Sequence, residues 1–234
     1  EVHDGIHGKG AFSRTADAIR WANESRLPLQ VHTTVCERNL GDLERIAALL
    51  STHRVLLWTV SFPALRHQEL LNPEETENTF ARLYRLSRLV TFKIKTPEAP
   101  HYRRYVLQQR TRLKPGHPEI EDGIPGVMPV VETRGSLFIT STGEVYPSAC
   151  LPVSGGNIRT ENLGEIYRES DLFQSLRDPS RLRGKCGRCN FKEICGGSRS
   201  RALAVAGDMF AEDSSCVYEP PATARTQEWS PKAL

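Results

Sequence analysis

Four cysteines near the C-terminal end of this 234-residue chain stand at a spacing that can do metal chemistry. Cys186, Cys189 and Cys195 read C-x2-C-x5-C, and Cys216 follows after twenty intervening residues. A two-residue gap lets two sulfurs turn toward one centre, and Gly187 makes that turn sterically easy. Thiolates from two separated segments can close an S4 shell, which suits an iron-sulfur cluster or zinc. The gap to Cys195 is wider than the repeated short pairs of a zinc knuckle. Gly196 and Gly197 then let backbone amides approach the sulfurs, a means of tuning a cluster's potential. A structural zinc site stays open on these residues. Disulfides fit less well, because C-x2-C pairs poorly with itself outside redox motifs and no secretory segment is present. A dithiol redox role for Cys186 and Cys189 lacks a thioredoxin-like strand-to-helix context.

The elements that must position this turn divide into two parts. Thr15 to Ser25 places Ala18, Ile19 and Ala22 on one helical face, and Leu29 to Val35 alternates as a strand. Leu40 to Leu50 repeats the helical spacing, and Arg54 to Phe62 is an apolar, β-prone run. A third helix opens at Asn72-Pro73-Glu74-Glu75, with a cap candidate, a first-turn proline and acids that suit a helix N-terminus. It leads to a strand over Val90 to Lys95. Alternating helices and strands predict an α/β fold with a parallel sheet. Three strands are too few for a closed eight-stranded barrel, so a partial parallel (β/α) barrel over residues 1–112 is expected. Pro- and Gly-rich residues 113–135 read as a linker or covering loop. Residues 136–218 read as a small α+β domain. It opens with a hairpin over Ser136 to Tyr146, continues through short helices at Leu163 to Ser170 and Leu172 to Leu176, and has a last helix at Ser198 to Val205 with Ser198 as its cap. On that last helix Arg199 and Arg201 are expected on the exposed side, and residues 219–234 form a tail.

Composition excludes several classes of function. A net charge of +3, with scattered basic residues, argues against nucleic acid as a partner. No apolar run is long enough to span a membrane and nothing at the N-terminus reads as an export signal, so the expectation is a cytoplasmic protein. The chain begins at Glu1 in a glycine-punctuated stretch read as a loop, and is expected to be a piece of a longer protein.

The cysteine segment resembles the C-terminal SPASM or twitch region of radical S-adenosylmethionine proteins, in the branch that includes the alternative heme-synthesis enzymes. Gly143 to Ser148 reads GEVYPS like that branch's hairpin, and Gly155-Gly156-Asn157-Ile158-Arg159 resembles its AGNVR. Cys195-Gly196-Gly197-Ser198-Arg199 resembles its CGGSRAR, and the likeness runs on through Gly207-Asp208 and Ser215-Cys216-Val217-Tyr218. Earlier, His3-Asp4, Gly8 and Gly10-Ala11-Phe12 resemble HDxxRGxxGSF, and Val31 to Val35 with Asn39 resembles VNTTVxxxN. Lys95 to Arg104 resembles KTTEAPHYRR. The chain departs from these patterns at His7, His32 and Pro97.

The resemblance implies one auxiliary 4Fe-4S cluster on Cys186, Cys189, Cys195 and Cys216, since full SPASM regions carry seven cysteines and two clusters. Four protein ligands leave no open iron, which favours relaying an electron over anchoring substrate. The family's C-x3-C-x2-C loop and GGEP segment are not in this sequence. S-adenosylmethionine and a second 4Fe-4S cluster are therefore expected only in the longer parent, and this chain alone should be inactive. Thr34 and Asn39, at the end of a strand, would contact S-adenosylmethionine, or else satisfy local backbone and cap the next helix. Glu98, His101, Arg103 and Arg104, read as a charged loop, would bind carboxylates of a peptide or tetrapyrrole substrate, or else be solvated. An electron donor such as ferredoxin or flavodoxin is implied as a partner. Cys150 reads as a thiol outside the ligand set, and Cys36 as a buried small apolar residue. The competing reading is a non-enzymatic zinc-binding module.

Overall fold

Helix and strand alternate from the first residues in the computed structural model, which describes residues 1–63, 71–113 and 135–221. The opening is not a loop: α1 (Val2–His7) precedes α2 (Ala11–Glu24). The corner between them is closed by the Asp4 carboxylate, which accepts the N–H groups of Gly10 and Phe12 at 2.9 and 2.7 Å. That carboxylate takes the place of a cap that Gly10 cannot supply. A helix of six residues is too short for a hydrophobic period to be visible in the sequence.

The chain continues through β1 (Leu29–Thr34), a 3-10 turn (Glu37–Asp42), α3 (Leu43–Ser51), β2 (Val55–Ser61), α4 (Pro73–Ser87), β3 (Lys93–Lys95) and α5 (His101–Leu113). At the start of α4, Asn72 is the cap expected there and forms a capping box: Asn72 Oδ1 accepts the Glu75 N–H and Glu75 Oε2 accepts the Asn72 N–H, both at 2.8 Å. The strand expected from Val90 is shorter, because only Lys93, Ile94 and Lys95 pair with β2.

The three strands form a parallel sheet in the order β1-β2-β3. Partners in a parallel register share a face. One face carries Val31, Trp58, Val60 and Ile94 and packs with Leu43, Leu50, Phe80, Leu83 and Tyr102 in the main core. The opposite face carries Gln30, His32, Thr34, Thr59, Ser61, Lys93 and Lys95. Gln30 donates to Thr59 Oγ1 across the strands on that polar face at 2.8 Å.

The second part opens on an antiparallel pair, β4 (Phe138–Ile139) with β5 (Val145–Tyr146). There follow α6 (Leu163–Glu169), α7 (Asp171–Arg177), a 3-10 turn (Pro179–Arg181), α8 (Gly184–Gly187) and α9 (Arg199–Ala206). Val145, Ile166 and Phe173 form its small core. The linker or covering loop expected over 113–135 lies, from 114 to 134, outside the described residues, as does the tail beyond 221. No helix among the described residues is long and apolar enough to cross a membrane.

Phe80 is fully buried and meets Phe62, His101, Tyr102 and Tyr105 ring to ring. Phe80→Ala should cost about 3–5 kcal/mol, against about 1 kcal/mol for Asn72→Ala, both read from urea unfolding. A Phe80→Ala loss no larger than that of the cap variant would contradict this packing.

Candidate metal centre

The cysteine turn is built by close backbone contacts that leave little room for side chains. Cys186 lies in the single turn of α8, and a Cβ on Gly187 would stand 2.3 Å from the Leu182 carbonyl oxygen. The chain turns back at Lys192, whose N–H donates to Cys189 O at 3.2 Å, and at Cys195, whose N–H donates to Phe191 O at 2.9 Å. Gly196 and Gly197 follow with φ of +67° and +70°, a region that glycine adopts without strain. Ser198 then caps α9 by accepting the Arg201 N–H. Lys185 closes the ring to the last cysteine, its Nζ donating to Cys216 O at 2.6 Å.

Cys186, Cys189, Cys195 and Cys216 line one cavity together with His101, Arg104, Lys185 and Tyr218. Backbone N–H groups already face the sulfurs: Asp213 toward Cys186, Phe191 toward Cys189 and Gly197 toward Cys195, each at 3.4 Å. Burial pushes all four thiols above their ordinary range, Cys195 furthest. A bound metal reverses that preference, because thiolate is the ligating form. Among the described residues no three His, Cys, Asp or Glu side chains are grouped so as to hold a single metal ion. On the cavity wall, Arg104 Nε is buried with no hydrogen-bond partner.

Behind the cavity a buried carboxylate ties the segments together. Asp213 is fully buried and accepts from the Ser198 N–H at 2.7 Å, the Ser215 N–H at 3.1 Å, the Ser215 hydroxyl at 2.8 Å and Arg201 Nη1 at 3.3 Å. Burial opposes its charge, but His101, Arg201 and those amides hold the carboxyl well below the usual range. His101 Nδ1 lies 3.6 Å from Asp213 Oδ2, and burial pushes the imidazole down to about 4 against the pull of Asp213. Arg201 also donates to the carbonyls of Phe62 and Glu98, at 3.1 and 3.4 Å, and so pins α9 to the parallel-sheet half.

Arg199 and Arg201 are buried, not exposed as their charge suggested. Arg199 donates to Met209 O and Ala211 O at 2.7 and 2.8 Å, with Nη2 3.9 Å from Cys186 Sγ. His101, Arg103 and Arg104 are likewise not on a solvated loop: they form the first turn of α5 and are buried. Arg103 reaches Ile194 O at 3.4 Å, Arg104 pairs with Glu77 at 2.6 and 2.5 Å, and Glu98 offers its backbone carbonyl to Arg201. Thr34 and Asn39 sit together at the C-terminal end of β1, where Asn39 Nδ2 donates to Thr34 O at 2.7 Å and its Oδ1 accepts the Cys36 N–H at 2.9 Å. Neither lines the cysteine cavity. Cys36 is half-buried and acts as the N-cap of the 3-10 turn. Asp213, Lys185 and Arg201 were missed in the sequence. The one available signal was Asp213-Ser214-Ser215, an Asx-turn sequence directly before Cys216.

Two comparisons test this geometry. A Cβ at Gly197 would stand 2.7 Å from Arg199 Nη2, 2.9 Å from Asp213 Cβ and 3.1 Å from Cys186 Sγ, whereas at Gly196 the nearest atom is 3.7 Å away. Both substitutions to alanine carry the left-handed strain of about 1–2 kcal/mol. Gly197→Ala should therefore destabilise the chain more than Gly196→Ala, and equal losses in urea would contradict the close approach. Asp213→Ala strands Arg201 and should cost about 3–5 kcal/mol. A cost near that of a surface substitution would remove Asp213 from its central place.

The profile of the SPASM iron-sulfur cluster-binding domain matches residues 132–190. The chain is 35% identical over 232 residues to an AdoMet-dependent heme synthase of Methanosarcina barkeri, covering 94% of this chain and 65% of that protein. It is 28% identical over 236 residues to a PqqA peptide cyclase of Rhizobium meliloti, covering 94% of this chain and 58% of that protein. Streptococcus suis SuiB bound to S-adenosylmethionine shares the fold with a TM-score of 0.60 at 12% identity, over 88% of this chain and 49% of that one. The chain thus spans 65%, 59% and 62% of the length of three heme synthases that it matches. On these findings residues 132–190 match the SPASM iron-sulfur cluster-binding domain, and the chain is similar along nearly its whole length to AdoMet-dependent heme synthases and to a PqqA peptide cyclase.

Proposed function

We propose that Cys186, Cys189, Cys195 and Cys216 hold one auxiliary 4Fe-4S cluster, in a protein that modifies a tetrapyrrole or peptide by radical S-adenosylmethionine chemistry. The observation that carries this reading is that the four thiols, from two segments of the chain, line a single cavity. Zinc would need four sulfurs about 2.3 Å from one point. Amides already directed at three of the sulfurs suit a larger, anionic group. When bound, such a group supplies one-electron transfer close to the substrate.

The chain's own residues then divide the work. The cysteines ligate, the glycine pair lets amides and Arg199 approach, and Asp213 with Arg201 holds the cysteine half against the sheet half. The three parallel strands would form part of a (β/α) barrel, with the polar face of Gln30, His32, Thr34 and Thr59 toward its interior. There Thr34 and Asn39 would lie beside S-adenosylmethionine, Asn39 by fixing the turn after β1. The higher identity to heme synthases favours a tetrapyrrole over a peptide. The burial of His101, Arg103 and Arg104 favours a role in the wall and support of the cysteine cavity over substrate contact. An electron donor such as ferredoxin or flavodoxin completes the scheme.

Anaerobic reconstitution with iron and sulfide should give about four irons and four sulfides per chain and a broad visible absorbance. Cys189→Ala and Cys216→Ala should each lose most of both, the second showing that the distant segment contributes. Colourless protein holding one zinc would overturn the reading in favour of a structural module.

A further inference from the structure

Reducing a thiolate-ligated cluster by one electron adds negative charge to the cavity, so buried cations on its wall decide how readily the electron enters. Arg104 is such a cation, with its side chain only 3% exposed. Both terminal nitrogens have acceptors: Nη1 donates to Glu77 and to Gln108 Oε1 at 2.6 and 2.9 Å, and Nη2 donates to Glu77 at 2.5 Å. The guanidinium carbon lies 5.6 Å from the centre of the Tyr218 ring, two residues beyond Cys216. This bidentate, stacked seating fixes the guanidinium in one orientation. Only Nε is left over, buried and without an acceptor among the described residues, on a side chain that lines the cysteine cavity. A buried donor with no acceptor is destabilising. Its side chain lines the cavity onto which the four thiols open.

Resting on the cluster reading above, we propose that Arg104 sets the reduction potential of that cluster, its Nε–H donating to a cluster sulfur and its charge favouring the reduced form. Glu77 is the counterweight. It orients the guanidinium and partly offsets its charge from the side away from the cavity, with its own side chain 24% exposed. The same field acts on the thiols, since Arg104 favours the thiolate of both Cys189 and Cys216. Lys185 also lines the cavity, but its ammonium is committed to Cys216 O and lies 3.7 Å from Glu219.

The test is an anaerobic titration of the reconstituted full chain with dithionite as the one-electron donor, followed by electron paramagnetic resonance. Arg104→Gln should lower the equilibrium constant for reduction at least tenfold, about 59 mV toward negative potential. Arg104→Lys, which keeps the charge and loses the fixed N–H, should fall between. Glu77→Gln should move the potential the other way, a reversal of sign that a merely structural role does not produce. A loaded cluster whose potential is unmoved in all three variants, or moves in one direction for both Arg104→Gln and Glu77→Gln, overturns the proposal. If Arg104→Gln does not load, Glu77→Gln decides: a positive shift supports the assignment and no shift overturns it. Wild-type chain that takes up no iron and sulfide removes the cluster itself, and this assignment with it.

Discussion

The buried Asp213 carboxylate is the constraint on which the cysteine half depends. It has no solvent, so every lone pair must be met from within, and it is met by the backbone at Ser198, the backbone and hydroxyl at Ser215 and the guanidinium of Arg201. Those partners come from the segments that carry Cys195 and Cys216. An unpaired buried charge costs several kcal/mol, so the carboxylate can be satisfied only when both segments are in register. Through Arg201 the same network reaches the carbonyls that end β2 and precede α5. The cavity is thereby fixed relative to the sheet.

This arrangement explains why so many charges lie inside a small domain. α9 has no amphipathic pattern because it is not held by an apolar stripe; Ser198, Arg199, Ser200 and Arg201 are all buried at its start. Arg199 serves carbonyls in the loop after the helix and lies near Cys186, and Arg104 serves Glu77 and the cavity wall. Polar networks of this kind fix a unique geometry when fully satisfied. A group that must be ligated at several points needs that kind of surrounding.

The local features were legible in the sequence and the long-range ones were not. The alternation of helix and strand, the Asn72 cap and the glycine-flanked C-x2-C-x5-C turn follow from rules that act within a few residues. The first turn of α5 was misread because Pro100 precedes a charged run, and such runs are by default solvated. What buries it is a set of partners far along the chain, Ile194 for Arg103 and Ser215 and Asp213 for His101. Arg201 was placed outside for the same reason, although one of its acceptors is a carbonyl 139 residues away. Periodicity carries no information about a partner at that distance. The wide gap to Cys195 and the glycine pair already favoured a cluster over zinc, and the family resemblance added the reading of one auxiliary cluster on four named cysteines; the SPASM match takes in Cys186 and Cys189.

The central claim is that four thiols from two segments share one iron-sulfur group, and X-ray absorption on the chain purified anaerobically from cells, with no added metal, tests it most directly. The account predicts iron in an all-sulfur shell with short iron-iron vectors, as a cubane requires. A zinc edge with four sulfurs in one shell near 2.3 Å, and no iron, would contradict it.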